Sequence, residues 1–235
     1  MATGETKIMI GVDEAGRGPV LGPLVVCAVR TEDVSFLTKL GVRDSKVLSP
    51  NRREELATEI LMKCQVETVI VEANEIDEQR KRITLNEIEV NAFGKAILGL
   101  LETELETGGV GDDVAIILDA ADVNEERFGQ EVGHILREKL GSVPRIISEH
   151  KADDKFPVVS AASIIAKVTR DREIDGLRRE HGEIGSGYPA DPVTKNYLKE
   201  LFEKGDPIPI FVRQSWETVS RMRTKAATKS LDDFF

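Results

Sequence analysis

Four carboxylates occupy places where a carboxylate can do chemistry. Asp13 and Glu14 close a stretch in which Ile8, Ile10 and Val12 alternate with a period of two. Asp119 closes the wholly apolar run 114–118, and Asp153 lies a few residues past the run 145–148. In open sheets with helical crossovers, ligands bind beyond the carboxyl ends of parallel strands. If the first and fourth strands are neighbours, Asp13 and Asp119 stand side by side. Carboxylates crowded in that way raise each other's pKa unless a cation lies between them. No histidine or thiolate accompanies these acids, so the donor set suits Mg²⁺ or Mn²⁺ and not zinc. For Asp119 or Asp153 alone, a turn or helix-capping role is the ordinary alternative. Two adjacent acids at the end of an apolar strand cost stability without a partner, and the recurrence of the pattern favours one shared site.

Directly after the first pair comes Ala15-Gly16-Arg17-Gly18-Pro19. Glycine lets a backbone approach a ligand closely, and its N–H and C=O can hydrogen-bond a sugar hydroxyl. The segment lacks the Gly-Lys-Ser/Thr ending of a phosphate-binding loop, and Pro19 argues against a helix starting there. A bare Gly-x-Gly turn also marks many hairpins.

The elements that must position these residues follow from periodicity. Residues 7–14 read as a strand, and the β-branched run 24–29 reads as its antiparallel partner. Ser49 is placed as an N-cap with Pro50 at the first helical position, opening a helix through Cys64. Further strands are expected at 66–72, 114–118 and 145–148, with helices at 84–101, 124–140, 158–177, 192–202 and 215–223. One early hairpin followed by strands alternating with helices predicts an α/β fold, a mixed sheet flanked by helices. The polar segment 224–235 is expected to be disordered.

With 235 residues the chain can bury one sizeable core. Cys27 and Cys64 form neither a metal-ligand spacing nor a disulfide framework, and no secretory signal or membrane span is evident, so a cytoplasmic location is expected. Residues 101–131 carry ten acids against Arg127 alone, nearly the whole of the net charge of −10. The basic residues elsewhere (Arg43, Lys46, Arg52 and Arg53; Arg145, His150, Lys151 and Lys155; Lys167, Arg170 and Arg172) can therefore collect on one face, or be the solvated sides of ordinary helices.

Five blocks carry a specific resemblance: GVDEAGRGPVLGPLV, the DSK at Asp44–Lys46, the LDAADV at Leu118–Val123, the HKADDKFPVVSAASIIAKVTRD at His150–Asp171 and the GSGYP at Gly185–Pro189. In content and order they resemble ribonuclease HII, most closely its archaeal branch. The resemblance implies a ribonuclease H-like mixed five-stranded sheet with flanking helices, in a catalytic domain 1–184, a C-terminal helical cap 185–223 and a flexible tail 224–235. It implies an endonuclease that cuts RNA within RNA/DNA hybrids and 5′ of single ribonucleotides in duplex DNA, leaving 5′-phosphate and 3′-hydroxyl ends. Asp13, Glu14, Asp119 and Asp153 would bind two Mg²⁺ or Mn²⁺ ions, Asp13 bridging them, with Asp122 and Asp154 as second choices.

By the same resemblance Gly16, Arg17 and Gly18 would sense the ribose 2′-hydroxyl, and Tyr188 would stack on the following deoxyribose; a core aromatic is its alternative, against which its turn setting in Gly-Ser-Gly-Tyr-Pro argues. Arg43 and Lys46 would contact phosphates, with Ser45 as a helper; Val47 departs from the family, where a second lysine is common. His150 is either a phosphate donor or proton carrier, or a surface residue. His134 and His181 are expected on helix surfaces, and Trp216 is expected as a packing anchor. The ending Ser230-Leu231-Asp232-Asp233-Phe234-Phe235 resembles the peptide box that binds the replication sliding clamp (PCNA), with Leu231, Phe234 and Phe235 as plug residues and Thr228 where glutamine is usual. A monomer is expected.

Overall fold

The structure, a computed structural model, describes residues 8–42, 48–102 and 113–232, with side chains through Thr228. It divides into two compact units. The first comprises the chain up to Ala15, Val25–Ile70 and Leu85–Thr169; the second comprises Gly16–Leu24, Val71–Thr84 and the chain from Arg170 onward. These units differ from the expected segments 1–184, 185–223 and 224–235. The structure instead gives the glycine turn, residues 71–84 and the end of the longest helix to the C-terminal unit.

The first unit is built on a five-stranded sheet of order β3-β2-β1-β4-β5. Its strands are β1 (Ile8–Ala15), β2 (Leu24–Thr31), β3 (Gln65–Val71), β4 (Val114–Asp119) and β5 (Arg145–Glu149). β1 runs antiparallel to β2 and parallel to β4, which runs parallel to β5. The expected mixed sheet is thus present, and its order puts β1 and β4 next to each other at its centre.

Helices cover both faces. Side chains alternate across a strand, so Met9, Gly11 and Asp13 share one face with Cys27 and Ile117. Helices α1 (Val34–Leu40) and α2 (Pro50–Lys63) join that face's core through Leu37, Leu56 and Ile60, as does the first half of a 25-residue helix, α7 (Pro157–His181). A Cβ on Gly11 would lie 2.4 Å from the carbonyl carbon of Val158, so only glycine admits the start of α7 at this point of β1. On the other face α4 (Leu85–Leu100) and α5 (Glu125–Leu140) meet through an edge-to-face pair, Phe93 and Phe128, with ring centroids 5.0 Å apart. Gly129 of α5 lies against Ser148 and Ile146 of β5.

Local chemistry accounts for the boundaries. Ser49 caps α2 by accepting the Arg52 N–H, with Pro50 at the first position as expected. Asn124 caps α5 by accepting the Arg127 N–H. The short helices α1, α3 (Ala73–Gln79) and α6 (Ala152–Lys155) were not anticipated, because two turns or fewer give periodicity little to repeat.

The second unit has its own core, in which Val20, Leu21, Ile184, Leu198, Phe211, Val212 and Val219 are buried. Helix α8 (Pro192–Lys204) packs there beside α9 (Glu217–Asp232). α3 is tied in by Asp77, whose carboxylate accepts the N–H groups of Gln214 and Ser215. The expectation of disorder from residue 224 is corrected, since α9 continues to Asp232. Its polarity misled: Met, Ala, Lys and Arg are good helix formers, Glu217 pairs with Arg221 one turn on, and Val219 and Met222 suffice as an apolar stripe.

Candidate active site

β1 and β4 are in parallel register from Ile8↔Val114 to Val12↔Leu118, and Asp13 and Asp119 are the next residues on each strand. β5 ends one strand further on. The chain then turns through Lys151, the one described non-glycine residue with positive φ (55°), into α6. That turn aims the Ala152 N–H at Asp119, whose Oδ1 accepts it at 3.1 Å, and buries Asp153. The Ser160 hydroxyl of α7 donates to the Asp153 carbonyl, fixing α6 from the other side.

The result is a cluster in which one carboxylate oxygen each from Asp13, Asp119 and Asp153 lies within 4.8 Å of the others. Asp13 and Asp153 are only 4% and 3% exposed. Burial holds the Asp13 carboxyl well above the usual carboxylate range, and repulsion from Glu14 and then Asp119 adds to this. A hydrogen bond from Ser163 on α7 and the Glu14 N–H, 2.7 Å from Oδ1, offset part of that rise.

Glu14 is half-buried and electrostatically close to Asp13 but does not join the three-oxygen cluster. The group is all oxygen and gathers carboxylates closely, which is the donor set a hard divalent cation takes. The residues therefore fit such an ion.

The Ribonuclease HII family pattern matches residues 10–219. A ribonuclease HII of Thermococcus onnurineus is 46% identical over 239 residues, covering 97% of this chain and 98% of its own length. Among solved structures, the ribonuclease HII in a PCNA complex from Archaeoglobus fulgidus is 43% identical with a TM-score of 0.79, covering 89% of this chain and 95% of that one. The ribonuclease H2 of Pyrococcus horikoshii is 39% identical with a TM-score of 0.80, covering 94% and 99%.

The chain belongs to the ribonuclease HII family.

It is accordingly a divalent-metal-dependent endonuclease of ribonuclease H type 2 on a ribonuclease H-like fold, and RNA in RNA/DNA hybrids is the family's target. Among the described residues no helix is long and apolar enough to cross a membrane.

The second-choice acids have other occupations. Asp122 is buried, and the hydrogen bonds from Arg127 and from the Asn124 N–H hold its carboxyl below the ordinary value; it organises the loop into α5. Asp154 is exposed on α6. His150 has Nδ1 and Nε2 each 3.3 Å from a carbonyl oxygen, those of Ala120 and Val123, and its N–H donates to Glu125, so it braces the loop after Asp119. The expected basic face loses two members: Arg53 is buried and donates to the Leu48 carbonyl, and Arg170 is 1% exposed.

In the second unit Gly16 has φ 92°, and a Cβ there would lie 2.5 Å from the Pro23 carbonyl oxygen and 2.8 Å from the Arg170 side chain. Gly16 is buried, Arg17 half-buried and Gly18 exposed. Tyr188 is 39% exposed, with the Arg170 guanidinium 5.0 Å from its ring centre and its edge 3.9 Å from where a Gly18 Cβ would stand. Tyr188, Gly16, Arg17 and Gly18 are therefore gathered in one unit. Arg43, Ser45, Lys46, Phe234 and Phe235 lie outside the described residues, and Leu231 is described only as backbone of α9.

Several supporting residues escaped the sequence reading. Asp191 accepts from the Ser186 N–H and hydroxyl and caps α8, and these bonds hold its carboxyl down at about 2. Thr194 accepts from the Gly187 N–H and donates to the Ile184 carbonyl. Ser163 was visible only as a small residue in a helical run. Arg213 left a signal that could have been used, a lone cation between Phe211-Val212 and Trp216. Trp216 is a packing anchor as expected, with Arg80 and Arg213 over its ring.

Proposed function

We propose that this chain cuts duplex DNA on the 5′ side of a single embedded ribonucleotide, as well as RNA in hybrids, leaving 5′-phosphate and 3′-hydroxyl ends. The observation that carries the reading is the convergence of Asp13, Asp119 and Asp153 in a chain of this family. With Glu14 they would hold Mg²⁺ or Mn²⁺, two ions per site. Bound there, such ions lower the pKa of a water and neutralise charge building on the phosphoryl oxygens and the leaving 3′ oxygen. The protein's own part is to keep the acids together: Ser163 and the Glu14 N–H orient Asp13, and the Ala152 N–H orients Asp119.

Gly16, Arg17 and Gly18 would read the 2′-hydroxyl, the group that tells RNA from DNA, and Tyr188 would stack on the next sugar. The exposed Gly18 beside the Tyr188 ring supports this assignment. Arg43, Ser45 and Lys46 would take phosphates, which position a duplex without reading its sequence. The role is ribonucleotide excision and primer removal in the cytoplasm, by a monomer. Leu231, Phe234 and Phe235 would dock on a sliding clamp, supported by the A. fulgidus relative solved with PCNA.

Mapping the cleavage site on a DNA duplex carrying one ribonucleotide, with Mg²⁺ and with Mn²⁺, tests the reading. A single cut 5′ of the ribonucleotide is expected. No cut there, with cutting of long hybrids retained, would assign a type 1 ribonuclease H activity instead.

A further inference from the structure

Arg213 is a cation with 0% exposure. Its planar fork is used on three sides: Nε donates to the Gly22 carbonyl at 2.9 Å, Nη1 to the Arg17 carbonyl at 3.1 Å, and Nη2 to the Gly16 carbonyl at 2.7 Å. The Trp216 ring lies 4.8 Å from the guanidinium carbon, and the Arg213 N–H donates to the Val20 carbonyl, so both ends of the side chain are anchored. Burying a cation is costly, and an apolar residue would fill the same volume without that cost. The compensation is therefore to be sought in the three carbonyls.

They belong to the turn that carries Gly16, Arg17 and Gly18. In a planar trans peptide the C=O and the next N–H point in opposite directions. Drawing the Gly16 and Arg17 carbonyls inward onto one guanidinium therefore turns the N–H groups of Arg17 and Gly18 the other way, away from Arg213. A lysine could satisfy one carbonyl but lacks the fork that fixes all three at once.

We infer that Arg213 is a positioning residue for substrate reading: it sets the peptide planes of Gly16-Arg17 and Arg17-Gly18 so that two successive N–H donors face the sugar–phosphate backbone. This rests on the reading of that turn as the ribose sensor. Arg213 touches no substrate and acts through the turn.

The test compares wild type with Arg213→Lys on duplexes carrying one ribonucleotide or one 2′-O-methyl nucleotide, with kcat and KM measured separately, and with Mn²⁺ affinity and thermal unfolding measured on the same samples. For a misplacement on the order of 1 Å, Arg213→Lys should lose about 100-fold in kcat/KM at the ribonucleotide. It should also narrow the preference for ribose over 2′-O-methyl, with Mn²⁺ affinity unchanged. A folded Arg213→Lys protein that keeps wild-type kcat/KM and preference overturns the proposal, and so does a loss matched by an equal loss of Mn²⁺ affinity. If wild type itself shows no preference for the ribonucleotide, the reading of the turn falls and this inference with it. Should Arg213→Lys fail to fold, Trp216→Phe decides: the smaller ring no longer holds the guanidinium against the three carbonyls, so a reduced preference supports the proposal and an unchanged one overturns it.

Discussion

The acid cluster and the glycine turn are neighbours in sequence, separated by the peptide bond between Ala15 and Gly16, yet they are assembled by opposite means. The cluster gathers like charges. Asp13, Asp119 and Asp153 are brought together by strand register and a few N–H and O–H donors, and burial, with repulsion from Glu14 and Asp119, keeps Asp13 above its ordinary pKa. The turn gathers neutral carbonyls around cations the protein supplies itself, Arg213 beneath Gly16 and Arg17 and Arg170 beneath Tyr188. The first arrangement suits a ligand of opposite charge, whereas the carbonyls of the second are already met by a cation of the protein itself. The acid cluster belongs to the first unit and the glycine turn to the second, and each unit has its own core.

Substitutions can break that contrast. The largest expected effect is Asp119→Asn, which removes one carboxylate's charge from the cluster; single-turnover cleavage should slow by about a thousandfold or more. Gly16→Ala comes next. Its Cβ meets the Pro23 carbonyl at a φ that L-residues avoid, so ribonucleotide cleavage should fall by about 100-fold while bound Mn²⁺ is retained.

Asp191 sharpens the comparison from the side of stability. Its folded pKa is depressed, so its contribution is present above the ordinary carboxylate value near 4 and lost as pH falls toward about 2. Asp191→Asn should lower the melting temperature by about 2–4 °C at pH 7, and the gap to wild type should close between about pH 4 and pH 2. The smallest effect is at Lys151, whose left-handed backbone aims Ala152 at Asp119. Lys151→Ile should cost about 1–2 kcal/mol in chemical denaturation, and Lys151→Gly should not.

What could be read beforehand followed from regular signals. Alternation marked β1, a β-branched run marked β2, the apolar run ending in Asp119 marked a buried central strand, and Ser49-Pro50 marked the start of α2. The acids were legible because each stands at or just past a strand end, a place the sheet fixes. Glu14's exclusion from the three-oxygen cluster was not legible, because the strand pleat sends adjacent residues to opposite faces and the motif alone does not say which acid points inward. The roles of Ser163, Arg170 and Arg213 depend on contacts distant in sequence; the Arg213 bond to Gly16 spans 197 residues. The division into units was missed for the same reason, since 16–24 and 71–84 join the C-terminal unit through packing that no local pattern announces.

Mn²⁺ titration of wild type, Asp119→Asn and Tyr188→Ala, followed by electron paramagnetic resonance, tests most directly whether metal binding belongs to the acid cluster alone. Asp119→Asn should weaken Mn²⁺ binding by about tenfold or more, while Tyr188→Ala should bind the ion as wild type does and lose only its preference for a ribonucleotide. Mn²⁺ affinity left intact by Asp119→Asn, or lost equally in Tyr188→Ala, would contradict the account.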